Sequence, residues 1–379
     1  MIPPPHGGKL VSIREAKPED DLGFSPSGEI KVPGDVRVNV RLISRGVYSP
    51  LRGFNTLEET DSILREQRLP DGTIWSMPVL LPAGEREFNL ARDGEEWLLK
   101  DDQGPVAVIN ITGRFTLDMH DASRHIFGTS DIHHPGVSAF LSMGNRFLAG
   151  NLTSVFPHYF PFQDRVMYPK DTRRYFMERG WKTVTAFQTR NIPHMGHEYM
   201  HARALESSDG LFINPVIGRK KSGDFRDEAI IAAYDALKAV SYPESRVLVS
   251  PVNYEMQYAG PREALHHAIM RKNYGASSFI VGRDHAGVGS YYGSFDAQRN
   301  CEAFPDLGIE ILKFGEASYC TRCGRVTMIG ECDHDHSDRI KLSGTDMRTI
   351  IRGGTAPGEM LMRKEVLMAV KSIDQPFFP

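Results

Sequence analysis

From residue 183 onward the apolar positions alternate between short β-branched runs and longer runs of helical period. Thr183–Phe187, Leu211–Ile217, Arg246–Val252 and Ser278–Val281 read as strands, and the stretch from His197, Asp227–Val240 and Pro261–Asn273 read as helices. Apolar strands separated by helices of about ten residues or more predict a parallel sheet with crossover helices, a Rossmann-like α/β fold. Ligands of such a sheet lie beyond the carboxyl ends of its strands, so chemistry is sought just after each run. The N-terminal part reads differently. Val36–Leu42 alternates, Trp75–Leu81, Glu87–Leu90, Trp97–Leu99 and Val106–Ile111 are extended candidates, and Asp93-Gly94 and Gln103-Gly104 are turn signals between them. Evenly spaced short strands predict a small β barrel. A closing helix is expected at Glu365–Ile373. The pattern divides the chain into a β-rich domain at 1–165, a parallel-sheet domain at 166–314 and a small C-terminal domain at 315–379.

Length and composition narrow the class. The 379 residues suffice for two or three domains with separate cores. With 45 basic against 48 acidic residues, the balance speaks against a dedicated nucleic-acid binder. The start lacks a basic region followed by an apolar run, and no apolar segment reaches about 18 residues. A cytoplasmic protein is the expectation.

The stretch Thr183 to Met200 carries the first chemistry. It reads as strand, tight loop broken at Asn191 to Pro193, then helix, which is the shape of a phosphate-binding corner. Gly196 permits close approach of a nucleotide, and His194 and His197, three apart, can face one side. Upstream, Gln188 and Arg190 offer an amide and a planar fork of donors to an oxyanion. After the second strand, Gly218 to Asp224 holds Arg219, Lys220 and Lys221, a loop able to hold phosphate oxygens. After the last strand comes Gly282-Arg283-Asp284-His285-Ala286-Gly287, expected to face the first corner across a crevice.

Three of the four cysteines crowd together near the end. Cys320, Cys323 and Cys332 with His336, or alternatively His334, supply the four N/S ligands of a tetrahedral, structural zinc site. Cys301 stands apart as a plain buried thiol, and His120, His125, His133 and His134 match no common metal spacing.

Gln188 to His197 resembles the Q-T-R-N-x-x-H-x-x-H signature of the ATP sulfurylases, with Pro193 one position later than the proline of many members. Pro5 to Gly8, Tyr48 to Phe54, Phe127 to Val137, Tyr258 to Glu263, Gly282 to Gly287 and Ser343 to Arg348 are similar to further family motifs in the family's order, with Gln257 and Lys220 departing from it. Cys332-x-x-x-His336 matches the spacing of the zinc-containing bacterial and archaeal members. The resemblance implies a PUA-like N-terminal domain, a nucleotidyltransferase domain without a fused kinase, and a homodimer. It also implies the reaction of ATP with sulfate to give adenosine 5′-phosphosulfate and pyrophosphate, with Mg2+ accompanying ATP. By the same resemblance, Gln188, Arg190, Arg283 and the Ala286 N–H hold sulfate, His194 and His197 stabilise the transferring phosphate, and Thr189 and Asn191 fix the geometry. Gly282, Asp284 and His285 complete the ATP seat. His194 to His197 is also similar to the H-I-G-H of class I aminoacyl-tRNA synthetases, but Gly344-Thr345 interrupts what would be their second motif. An RNA-binding PUA and zinc module would need a basic face that the charge balance does not favour.

Overall fold

The computed structural model describes residues 1–16, 26–328, 330–342, 344–353 and 360–378, with the side chains of Thr345 and Asp346 excepted. Ser343, part of one family-like motif, lies outside the described residues.

The N-terminal elements are β1 (Arg14–Glu15), β2 (Gly28–Lys31), α1 (Gly34–Ser44), β3 (Gly53–Phe54), α2 (Leu57–Glu66), β4 (Leu81–Pro82), α3 (Glu85–Leu90), β5 (Glu96–Asp101), β6 (Gly104–Thr116), α4 (Met119–Phe127), α5 (Pro135–Leu141) and β7 (Arg146–Val155). Their strands form a mixed sheet in the order β1-β7-β6-β5-β2, with β3 and β4 also pairing β7. The end strands do not pair with each other, so among the described residues the ladder does not close into the expected barrel. Both turn signals hold, with Gly94 and Gly104 at φ 86° and 121°, where a side chain would be strained.

Two expected strands are helices. In α1, Pro33 caps the start, Asp35 lies in the first turn and Arg41 in the last, charges that complement the helix dipole. Val36, Val38, Val40 and Leu42 are all buried because the helix is covered around most of its circumference, and alternating valines fit that as well as a strand. Glu87–Leu90 is likewise the body of α3, and Trp75–Leu81 reaches a ladder only at Leu81.

The second half begins with α6 (Pro169–Glu178), followed by β8 (Val184–Thr189), α7 (Met195–Ser207), β9 (Gly210–Ile217), α8 (Asp227–Ser241), β10 (Val247–Val249), β11 (Val252–Asn253), α9 (Pro261–Tyr274), β12 (Ser278–Val281), α10 (Asp296–Glu302) and β13 (Glu310–Lys313). The sheet runs β10-β9-β8-β12-β13, all parallel, with β11 also pairing β9. Every residue of β8 and β9 is buried, as expected of strands covered on both faces. The expected strand Arg246–Val252 is split because Ser250 leaves the ladder, its carbonyl accepting from Asn214 Nδ2 at 2.6 Å and its hydroxyl bonding Arg165 and Met167.

The chain ends with β14 (Ala317–Cys320), β15 (Arg325–Met328) and β16 (Arg339–Lys341), an antiparallel sheet in the order β15-β14-β16, then α11 (Gly344–Gly353) and α12 (Lys364–Lys371).

Helix α9 joins the halves. Most of its residues are buried, and two of its polar side chains meet backbone groups that would otherwise be left without partners. Asn273 Nδ2 donates to the carbonyls of Val47 and Ser49, and Arg262 donates to those of Ile63, Leu64 and Ser76. His6 N–H donates to Asn273 Oδ1, and burial lowers the His6 ring pKa to about 4. The family-like stretch Pro5 to Gly8 therefore serves the junction between the halves.

Candidate functional site

The strand order turns at β8. From it β9 and β10 extend to one side, β12 and β13 to the other, so β8 and β12 border the switch point where open parallel sheets leave a crevice. The two chemistry-bearing loops follow these two strands. The crevice encloses about 300 Å³ and is lined by Gln188, Thr189, Arg190, Asn191, His194 and His197 from one side and Gly282, Arg283, Asp284, His285 and Ala286 from the other. Every ATP and sulfate residue expected from the sequence is brought together there.

His194 is the N-cap of α7, so the helix starts two residues before the expected His197. Its Nδ1 accepts from the Gly196 N–H at 3.1 Å, which leaves the proton of a neutral ring on Nε2 as a donor. A Cβ on Gly196 would stand 3.0 Å from the His194 ring and 3.4 Å from Ala317 Cβ, so glycine here makes room for the cap and the β14 wall. His197 stacks on His194 with ring centroids 3.8 Å apart at 20°, and burial, with His194 and His201 adjacent, drives its pKa well below the usual value. His201 continues the row inward, with Nδ1 2.5 Å from Tyr242 Oη and its pKa lowered to about 3 by burial. Sequence reasoning missed His201, although spacing 194, 197, 201 on a helix was visible.

Arg190 is fixed on several sides. Nη2 donates to the Gly287 carbonyl at 3.2 Å, Nε lies 3.7 Å from Asp224 Oδ2, and the guanidinium sits 5.0 Å from the Tyr258 ring. Asp224 is fully buried and also accepts from Arg348 Nη2 at 3.0 Å and Tyr258 Oη at 3.2 Å. Arg348 donates in turn to Asn191 Oδ1 at 2.6 Å, and the Asn191 N–H donates to Thr189 Oγ1 at 3.0 Å. One buried carboxylate thus aligns two crevice arginines, a role not legible before the fold.

Across the crevice, Asp284 and Ala286 hold left-handed φ values of 54° and 57°, a strained backbone of the kind concentrated at functional sites. His285 Nε2 lies 3.1 Å from His267 Nδ1, and burial lowers the His285 pKa to about 3. Arg283 Nη1 is 3.4 Å and Lys341 Nζ 3.6 Å from the same Glu316 oxygen. Lys341, Glu316, Ala317, Leu342 and Arg348 bring the C-terminal segment into the crevice wall.

The loop 218–224 corrects one expectation. Lys220 is buried and paired with Asp227, while the Lys221 N–H donates to Tyr258 Oη at 3.0 Å. None of Arg219, Lys220 and Lys221 lines the crevice, and the Lys220 charge is taken up by Asp227 at the start of α8.

Cys320, Cys323, Cys332 and His334 place one ligand atom each within 4.8 Å of one another. His334 Nδ1 lies 3.4 Å from Cys320 Sγ and 3.3 Å from Cys323 Sγ. The expected fourth ligand, His336, lies outside this group and starts an exposed 3-10 turn that leads into β16, while His334, the alternative, stands within it. The His334 N–H, first among several donors, lowers the Cys332 thiol pKa to about 6, and Arg339 Nη2 lies 3.2 Å from its sulfur. Three thiols and one imidazole are the donor set of tetrahedral zinc with no open position. The knuckle packs Ala317, Val326 and Leu342 against Met195 and Tyr199 of α7, directly beside His194. His334→Ala and Cys323→Ser are therefore expected to lose about one metal ion per chain and to lower Tm, whereas His336→Ala retains both. Metal analysis with thermal melts checks this.

Elsewhere, His134 is buried as the N-cap of α5, accepting from the Gly136 and Val137 N–H groups, and Cys301 is a buried thiol whose pKa burial pushes up to about 12.

The ATP-sulfurylase family model matches residues 163–372 and a PUA-like domain model matches 3–156. A sulfate adenylyltransferase of Pyrococcus abyssi is 43% identical over 380 residues, covering 100% of both chains. That of Ignicoccus hospitalis is also 43% identical over 380 residues with 100% of both covered, and that of Chloroflexus aurantiacus is 39% identical over 99% of this chain and 98% of its own. Among solved structures, the hexameric APS kinase from Thiobacillus denitrificans superposes with a TM-score of 0.73 at 22% identity, over 98% of this chain and 68% of that one, a likeness of fold.

Proposed function

The chain belongs to the ATP-sulfurylase family and transfers the adenylyl group of ATP to sulfate, and we propose that it does so by in-line attack within the crevice between β8 and β12. The observation that carries this reading is that both family-like loops leave adjacent strands at the switch point and face one space.

Sulfate is already a dianion, so the step needs placement and charge neutralisation without a general base. A sulfate oxygen forms the bond to the α-phosphorus while the bond to the bridging oxygen breaks, and pyrophosphate leaves with that electron pair. Gln188, Arg190, Arg283 and the Ala286 N–H hold the sulfate. Arg190 is suited to this because Gly287, Asp224 and Tyr258 fix its plane in advance, which lowers the cost of ordering it. His194, donating from Nε2, and His197 stabilise charge on the α-phosphate and the leaving oxygen, while Thr189 and Asn191 hold the loop. Gly282, Asp284 and His285 border the nucleotide, and Arg348 and Lys341 add positive charge toward the polyphosphate. Mg2+ accompanying ATP would neutralise part of the polyphosphate charge as pyrophosphate leaves.

We assign the chemistry to 166–314, with 1–165 docked behind it and 315–379 supplying one wall. The cysteine-histidine cluster holds zinc in a structural role. The reading carries with it a cytoplasmic homodimer, and among the described residues no helix is long and apolar enough to cross a membrane. Pyrophosphate exchange into ATP tests the substrate. Exchange that depends on sulfate supports the reading, and exchange that depends on an amino acid overturns it.

A further inference from the structure

A second cavity, about 550 Å³ against about 300 Å³ for the crevice, lies on the N-terminal half beside the segment that leads into α6 and shares no lining residue with the crevice. One wall is α1 with its C-cap Arg45, and Arg37, Arg41 and Arg45, each four residues apart, form one stripe. The opposite wall is the segment after β7, with Phe156, His158, Tyr159 and Phe160, followed by Tyr168.

The three arginines are not equivalent. Arg37 is buried, bonded to both carboxylate oxygens of Asp101 and to the Gly104 carbonyl. Arg45 Nη2 lies 2.7 Å from Glu15 Oε2. Arg41, between them, has neither an ion pair nor a side-chain hydrogen bond among the described residues, and its guanidinium stacks 3.9 Å from the Phe160 ring centroid. Both neighbours are compensated by carboxylates, and Asp164, which also lines the cavity, makes no ion pair with Arg41 among the described residues. The partly buried Arg41 charge is therefore met chiefly by the Phe160 ring, and a bound anion would relieve the cost of leaving it so. The volume is that of a small-molecule site. Tyr159, 70% exposed at the rim, offers a face for a flat ring beside the charge, whereas the Tyr168 ring already carries the Arg45 guanidinium 5.4 Å from its centroid.

We propose that this cavity is a second binding site, for a phosphate or sulfate ester that carries an aromatic ring, with its oxyanion on Arg41 and its ring against Tyr159. Nucleotides are the class that fits. Arg41 is remote from the crevice lining, so its removal leaves turnover intact.

The test is calorimetric titration of the full chain with AMP and, separately, with inorganic phosphate. Wild-type protein is expected to bind one more AMP per chain than Arg41→Gln, with equal turnover in the two proteins. That difference of one site is the readout whatever the crevice holds, so failure of the reading above and failure of this one are distinguishable. Tyr159→Ala, an exposed change that does not threaten folding, is expected to weaken AMP at this site by about tenfold while leaving phosphate unaffected. The same number of AMP sites in wild type and Arg41→Gln overturns the proposal, as does AMP binding that Tyr159→Ala leaves unchanged should Arg41→Gln fail to fold. Phosphate binding as tightly as AMP overturns the aromatic part and leaves an oxyanion site.

Discussion

Arg190→Ala is expected to lower kcat/KM for sulfate by about 100- to 1,000-fold, the usual cost of deleting one preorganised donor aimed at reacting charge. The fold should tolerate it. Asp224, which loses Arg190, keeps Arg348 Nη2 at 3.0 Å and Tyr258 Oη at 3.2 Å, so the buried carboxylate is not stranded. Arg190→Lys should restore little, because a point charge does not reproduce a planar fork held between Gly287 and the Tyr258 ring. Steady-state kinetics with sulfate varied at saturating ATP, alongside a melting curve, checks both halves. A variant that melts early but turns over normally contradicts the assignment.

His194→Asn separates the two roles of that residue. Asparagine is a good N-cap and can still accept from the Gly196 N–H, so Tm should shift by only about 2 °C. It lacks the Nε2 donor and the ring that stacks on His197, so kcat should fall by about 100-fold or more. The opposite pattern, normal kcat with a large loss of Tm, would make His194 a cap and nothing else.

The catalytic half was legible because two strong signals agreed. Apolar strands alternating with helices pointed to the sheet, and the polar residues at the ends of β8 and β12 pointed to the crevice in which the fold gathers them. The N-terminal half was harder. Valines at 36, 38 and 40 satisfy a strand and a helix covered on most sides equally well, and only packing decides between them. At the metal cluster, spacing put His336 first and His334 second. The turn between Cys332 and β16 aims His334 at the thiols, and such a turn is not encoded in spacing. Lys220 appeared free as a phosphate ligand because its partner Asp227 belongs to the next helix. Asp224 and His201 act through contacts with residues 124 and 41 positions away, distances at which sequence pattern says little.

The most direct test of the central claim is ATP formation from adenosine 5′-phosphosulfate and pyrophosphate by the folded, metal-loaded protein. Ready ATP formation is the predicted result, since one crevice serves both directions of an adenylyl transfer. A folded, metal-loaded protein that makes no ATP from these two substrates would contradict the account.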